Sequence, residues 1–178
     1  MKRLIYQVYT GKQSKLYNHC TKSVAEYAKR IDAEYIVQKT PILMIAPDPF
    51  QTNRSKESYE KYGGFLPIYE KENAFAYLKS YDQIAIIDAD VYIRPECTES
   101  IFDAAGTDVD FAGVLERDMP CTPQYVAKIA NYSRMQYSMP NINPLFDWKH
   151  PGGADFYNMG IMVLNKSIRK YLNGETPN

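Results

Sequence analysis

A chain of 178 residues is long enough for one domain with a real core, and 45% hydrophobic residues with 24% charged exclude wholesale disorder. Twenty-one basic residues balance 21 acidic ones, and the basic ones are scattered, so the basic stripe of a nucleic-acid binder is missing. Three widely spaced cysteines (Cys20, Cys97 and Cys121) make neither a disulfide framework nor a thiolate zinc site, and no apolar run approaches the ~18 residues of a membrane span.

In chain order, RLIYQVYT (3–10) reads as a strand stopped by Gly11. The apolar stretch Leu4-Ile5-Tyr6 is broken by Gln7, too early for a secretory signal, and a soluble, cytoplasmic protein is expected. Residues 14–31 carry Leu16, Val24, Tyr27, Ala28 and Ile31 at partly helical spacing and predict an amphipathic helix. A second strand, Glu34 to Gln38, follows at once. Strand, helix, strand opens an α/β fold with a parallel sheet.

Residues 41–67 are rich in proline and polar groups and read as loop, with one short helix at 54–62. A helix is expected over 69–80. Gln83-Ile84-Ala85-Ile86-Ile87 is a continuous apolar run bounded by Asp82 and Asp88, which suits a central strand buried on both faces. A helix at 97–105, a strand from Asp110 to Leu115, a helix at 123–138, irregular chain at 139–155, a strand at 156–164 and a helix at 166–172 complete the reading. There is no repeat and no linker, so a single α/β domain is expected. The 16 tyrosines suit half-buried positions beside polar, ring-bearing ligands.

Chemistry concentrates in IAIIDADVYIRP. Asp88 and Asp90 stand where the buried strand runs out, and α/β sheets bind ligands outside the carboxyl ends of their strands. Residues i and i+2 of extended chain point the same way, so the two carboxylates repel unless a cation lies between them. Hard divalent ions, Mn²⁺ or Mg²⁺, take one or two carboxylates together with substrate phosphates. A solvated turn is the plain alternative, but the chain returns to apolar Val91-Tyr92-Ile93 where a mere turn would stay polar.

YDQIAIIDADVYIRP resembles the DxD segment of GT-A glycosyltransferases, most closely the family-eight type of glycogenin and bacterial galactosyltransferases. FYNMGIMVLNKSI, from Phe156 to Ile168, is similar to a second strand of that family. The two motifs stand in the family's order, about 70 residues apart. The resemblance spans 3–172 and implies a Rossmann-like GT-A fold, with a mostly parallel central sheet flanked by helices, over 1–178.

It also implies roles. Asp90 is a metal ligand, and Asp88 shares the metal or the donor ribose. Lys71 matches a basic residue that reaches the diphosphate or donor sugar. Tyr9, Thr10 and Gly11 match the loop that receives base and ribose. Asn158 matches an asparagine facing the sugar, and Gly160 lets its strand pass close by. Asp155, two residues before Tyr157, is placed to meet a sugar hydroxyl or stand near the anomeric carbon, and Asp110 is structural. Relatives supply a late histidine as third metal ligand. With only His19 and His150 here, the expectation is a chain without the usual C-terminal extension, or a metal shell completed by water and phosphate.

The implied activity moves a sugar from a nucleotide-sugar donor, UDP-sugar favoured, to a carbohydrate or other hydroxyl acceptor. Retention of configuration follows from the resemblance; inversion would need a carboxylate base, and Asp155 is available. The rivals are a binding module without turnover, a haloacid-dehalogenase-type phosphatase and a nucleotidyltransferase. The phosphatase would carry Gly-Thr after an N-terminal DxD strand, and the nucleotidyltransferase a richer loop than Gly11-Lys12.

Overall fold

The structure is a computed structural model describing residues 1–12, 14–45, 65–116, 122–128, 131 and 157–172. It divides into two compact units, Met1–Ala112 with Met162–Asn178, and Gly113–Ile161. Five strands form a mixed sheet in the order β2-β1-β3-β5-β4: β1 (Arg3–Val8), β2 (Glu34–Gln38), β3 (Gln83–Ile87), β4 (Phe111–Leu115) and β5 (Tyr157–Asn165). β1 pairs in parallel with both β2 and β3. This is the expected α/β class.

In the first unit the continuous apolar runs become the centre of the sheet, as burial on both faces requires. Leu4, Ile5, Ile84, Ala85, Ile86 and Ile87 are all 2% exposed or less. One face, Leu4, Tyr6, Ile84 and Ile86, packs with Ala74, Leu78, Tyr81, Met162 and Leu164. Each large aliphatic side chain buried there contributes roughly 1.5–3 kcal/mol. Gln7 lies on the opposite face, where the hydroxyl of Tyr35 reaches both its Oε1 and the Thr21 carbonyl of helix α1 (Lys15–Arg30). α1 buries Cys20, Ser23, Val24, Tyr27 and Ala28. Leu16, expected on that face, is 60% exposed.

Three boundaries differ from the sequence reading. β1 stops at Val8: the Tyr9 N–H still donates to the Gln38 carbonyl of β2 at 2.8 Å, and the chain then turns at Gly11 with φ 106°. The helix expected at 97–105 starts later, as α2 (Ile101–Ala105), since the Cys97 N–H closes a turn onto the Arg94 carbonyl. The helix expected over 69–80 is a 3₁₀ helix, η1 (Pro67–Lys79). The Asn73 amide donates to the Glu70 carbonyl, the acceptor an α-helix would give to Ala74. Side-chain competition of that kind disfavours the wider turn. Asp110 is structural as expected: its carboxylate takes Lys170 Nζ at 2.8 Å and the Tyr171 hydroxyl at 3.2 Å. In the second unit residues 123–128 are helical, as expected for their part of 123–138. The expected helix at 54–62 and irregular stretch at 139–155 lie outside the described residues.

Candidate active site

β1 and β3 are parallel and in register, Tyr6 opposite Ile86, so they leave the sheet at the same end. Beyond β3, Asp88-Ala89-Asp90-Val91 forms a turn closed by the Val91 N–H on the Asp88 carbonyl, 3.1 Å. The same carbonyl accepts from Gln7 Nε2 at 3.0 Å, and the Cys20 thiol lies 3.4 Å from the Asp90 carbonyl. Gln7 is fully buried and its own Oε1 accepts from Tyr35 at 2.5 Å, so the anchor is rigid. Burial, and then the neighbouring Asp90, push the Cys20 thiol above its usual range. The turn is thus held through its carbonyls and by buried Ala89, which leaves both carboxylates to a cleft of about 210 Å³.

That cleft is lined by Tyr9, Thr10, Tyr17, Pro67, Ile68, Lys71, Asp88 and Asp90. Gly11 ends the loop with φ 106°, a conformation other residues rarely adopt. Tyr9 is 7% exposed; its hydroxyl accepts the Ser14 N–H at 2.5 Å, and its ring meets Tyr17 edge-on at 5.4 Å. Tyr9 therefore braces the loop against the start of α1, and the more exposed Tyr17 also lines the cleft. Thr10 Oγ1 is buried with no hydrogen-bond partner among the described residues. An orphaned hydroxyl in a cleft wall is a place for a ligand's polar atom.

Lys71 Nζ lies 2.5 Å from Asp88 Oδ1, with side-chain exposures of 12% and 36%. Its position follows from the preceding residue. Glu70 is 1% exposed, and its carboxylate accepts from the N–H groups of Ile42, Leu43 and Met44, from Gln38 Nε2 and from Asn73 Nδ2, at 2.7–3.2 Å. Burial alone would raise the Glu70 carboxyl, but these donors outweigh it and hold the group below the usual carboxylate range. η1 is thereby clamped at Glu70, and Lys71 is delivered to the cleft.

Among the described residues, two carboxylates against one ammonium leave the cleft with one negative charge in excess. A divalent cation reverses that sign and suits the cleft to an anion. No group of three His, Cys, Asp or Glu side chains able to hold a metal occurs among the described residues. Two carboxylates in an open cleft, with an unsatisfied hydroxyl nearby, fit a hard cation that keeps water and phosphate oxygens in its shell. The described residues alone do not make an all-protein cage.

The other expected residues lie in the second unit. Asn158 Nδ2 donates to Glu116 Oε1 at 2.8 Å, and its Oδ1 accepts the Gly160 N–H at 2.8 Å. Glu116, 6% exposed, also accepts from the Tyr125 hydroxyl at 3.2 Å. Both ends of the Asn158 amide are engaged inside this unit. Asp155 and His150 fall outside the described residues. His19 stacks on Tyr92, ring centroids 5.0 Å apart, on the exposed side of α1.

Sequence reasoning missed Tyr17, Gln7, Glu70 and Glu116. A polar residue inside an apolar strand marked Gln7, and an aromatic at the first turn after the β1 loop marked Tyr17. Glu116, directly after a strand, carried the same kind of signal as Asp88.

No protein-family model matches the chain, and no curated protein does. Among solved structures, it is similar to the crystal structure of a glycosyltransferase involved in the glycosylation of the major capsid of PBCV-1. The superposition has a TM-score of 0.51 at 12% identity and covers 99% of this chain and 68% of that one. The chain shares a glycosyltransferase-like fold.

Proposed function

We propose that the protein is a glycosyltransferase that binds a nucleotide-sugar donor, UDP-sugar favoured, together with Mn²⁺ or Mg²⁺ in the cleft at the ends of β1 and β3. The observation that carries the reading is the meeting of Asp88, Asp90, Lys71 and the unpartnered Thr10 hydroxyl in one cleft. The glycosyltransferase-like fold supports it. Cleaving a sugar–phosphate bond builds negative charge on the departing diphosphate, and a bound divalent cation would supply Lewis-acid stabilisation of that charge. Asp90 and Asp88 would hold the cation. Lys71 pairs with a diphosphate oxygen or the donor sugar. Thr10 donates to the donor, Gly11 allows its close approach, and Tyr17 offers its ring to the base while Tyr9 braces the loop. By the family resemblance alone, Asn158, Gly160 and Asp155 are proposed to meet the donor sugar. A family-eight-like, retaining course is the accompanying proposal; an inverting one would draw its base from Asp155.

The test is release of nucleoside diphosphate from UDP-, GDP- and ADP-sugars with Mn²⁺, against the same reactions in EDTA. Release from one donor class that requires the cation supports the proposal. Tight binding of a donor with no release, with or without small glycan acceptors, would instead make the chain a sugar-nucleotide binding module.

A further inference from the structure

The chain from Asp88 to Ile93 is fastened through its main chain. The Asp88 carbonyl takes two donors, the Val91 N–H at 3.1 Å and Gln7 Nε2 at 3.0 Å. Cys20 Sγ lies 3.4 Å from the Asp90 carbonyl, and the Ile93 N–H donates to Ser23 Oγ at 3.0 Å. Among these ties Gln7 is the one that comes from the sheet. It is wholly buried on β1, where an apolar residue would pack at less cost. Its amide can face only one way. Nε2 meets a carbonyl and Oε1 meets the Tyr35 hydroxyl at 2.5 Å, so a reversed amide would set two oxygens against each other at Asp88. The Tyr35 hydroxyl also lies 3.0 Å from the Thr21 carbonyl, and burial pushes its ionisation far above the usual range, so it stays a donor.

We infer that Gln7 is a positioning residue for the cation, and that by fixing the Asp88 carbonyl it makes the cleft favour Mn²⁺ or Mg²⁺ over the larger Ca²⁺. The inference rests on reading the cleft as a cation–diphosphate site. Asp88 and Asp90 hang from one turn, so the spread between their carboxylates follows the main chain beneath them. Mn²⁺ and Mg²⁺ take octahedral oxygen shells, Mg²⁺ at about 2.0–2.1 Å. Ca²⁺ accepts more oxygens, at about 2.3–2.6 Å and in looser arrangements. The choice between them therefore depends on how far the turn can open. Pinned at its first carbonyl by a buried amide whose other end is also held, the turn resists the widening that Ca²⁺ needs. Held there by the Val91 N–H alone, it would give way.

The experiment follows free Mn²⁺ by its electron paramagnetic resonance signal at fixed UDP and titrates Ca²⁺ against it, after subtraction of a protein-free blank. The parent, Gln7→Met and Tyr35→Phe are compared. Methionine keeps the length of Gln7. It leaves the Asp88 carbonyl with the Val91 N–H and the Tyr35 hydroxyl with the Thr21 carbonyl, so neither is orphaned. The parent should hold Mn²⁺ in preference to Ca²⁺. In Gln7→Met the Mn²⁺ affinity should fall about tenfold, the lower end of the usual effect of losing an outer partner of a metal ligand, while the Ca²⁺ affinity falls much less. A general loosening of the core would instead weaken both ions by the same factor. Tyr35→Phe frees the Gln7 amide without touching the turn and should move the ratio the same way; it decides the question if Gln7→Met does not fold. An unchanged Mn²⁺-to-Ca²⁺ ratio in the deciding variant, or a parent without the preference, refutes the role of Gln7 while the site reading survives. If the parent takes up no Mn²⁺ with UDP, both are refuted.

Discussion

Replacing Glu70 by glutamine removes one charge and changes no shape, yet it should be among the costliest single substitutions in the first unit. In the parent, Oε2 accepts from Gln38 Nε2, Ile42 N, Leu43 N and Asn73 Nδ2, and Oε1 accepts from Met44 N at 2.7 Å. Glutamine keeps the four donors on its oxygen only by turning its amino group toward the Met44 N–H, where two donors face each other. The unsatisfied group costs about 1–3 kcal/mol, and the four remaining bonds fall from charge-assisted to neutral strength. Part of that loss is recovered by water, because Ile42 and its neighbours are exposed. A net cost of about 3 kcal/mol is the reasonable sum. For a chain of this length it lowers the melting temperature by roughly 6–12 °C. The pH dependence sharpens the test. Because the folded Glu70 carboxyl lies below its unfolded range, its contribution is complete above about pH 4.3 and is lost as pH falls through the lower folded value. The difference between parent and Glu70→Gln should therefore be full at neutral pH and close on acidification. Thermal melts at a series of pH values measure it. A variant melting within about 1 °C of the parent at neutral pH would refute the clamp.

Thr10→Val removes a hydroxyl that has no partner among the described residues, so stability should hold or rise by about 1 kcal/mol while nucleotide affinity falls several-fold. Calorimetric unfolding together with UDP titration separates the two, and an unchanged affinity would remove Thr10 from the donor site. Asn158→Ala strips a partner from buried Glu116 and should cost roughly 1–2 kcal/mol. It should also weaken transfer more than binding of free UDP; equal losses in kinetic and binding assays would move Asn158 from the sugar to the nucleotide.

The centre of the fold was written plainly in the chain. Gln83 to Ile87 is a short apolar run between two aspartates, and nothing but a doubly covered strand accommodates it. Asp88 and Asp90 were legible for the same reason, since carboxylates at the end of such a strand need a use. Lys71 and Thr10 were marked by resemblance alone, and both line the cleft. Tyr9 was placed in the loop that receives base and ribose; what the sequence did not show is that its hydroxyl is committed to Ser14 and its ring packs edge-on against Tyr17. Sequence offers no means to see a hydroxyl captured by a backbone N–H. Glu70 was invisible for a related reason: three of its donors are main-chain groups 26 to 28 residues away, and main chain carries no residue signature. The segment was legible as a helix because the buried Glu70, Ala74 and Leu78 keep helical spacing, but its 3₁₀ hydrogen bonding was not.

The central claim is that this cleft holds a nucleoside diphosphate through a divalent cation on Asp88 and Asp90. The most direct measurement is a thermal-shift titration with UDP, GDP, ADP and CMP, each with and without Mn²⁺, on the parent and on Asp90→Ala. A ligand that binds only the folded state raises the melting temperature by mass action. The account predicts a rise with one nucleoside diphosphate that requires Mn²⁺ and disappears in Asp90→Ala, whose own melting temperature matches the parent. A rise that persists in Asp90→Ala, or no rise with any nucleotide, would contradict it.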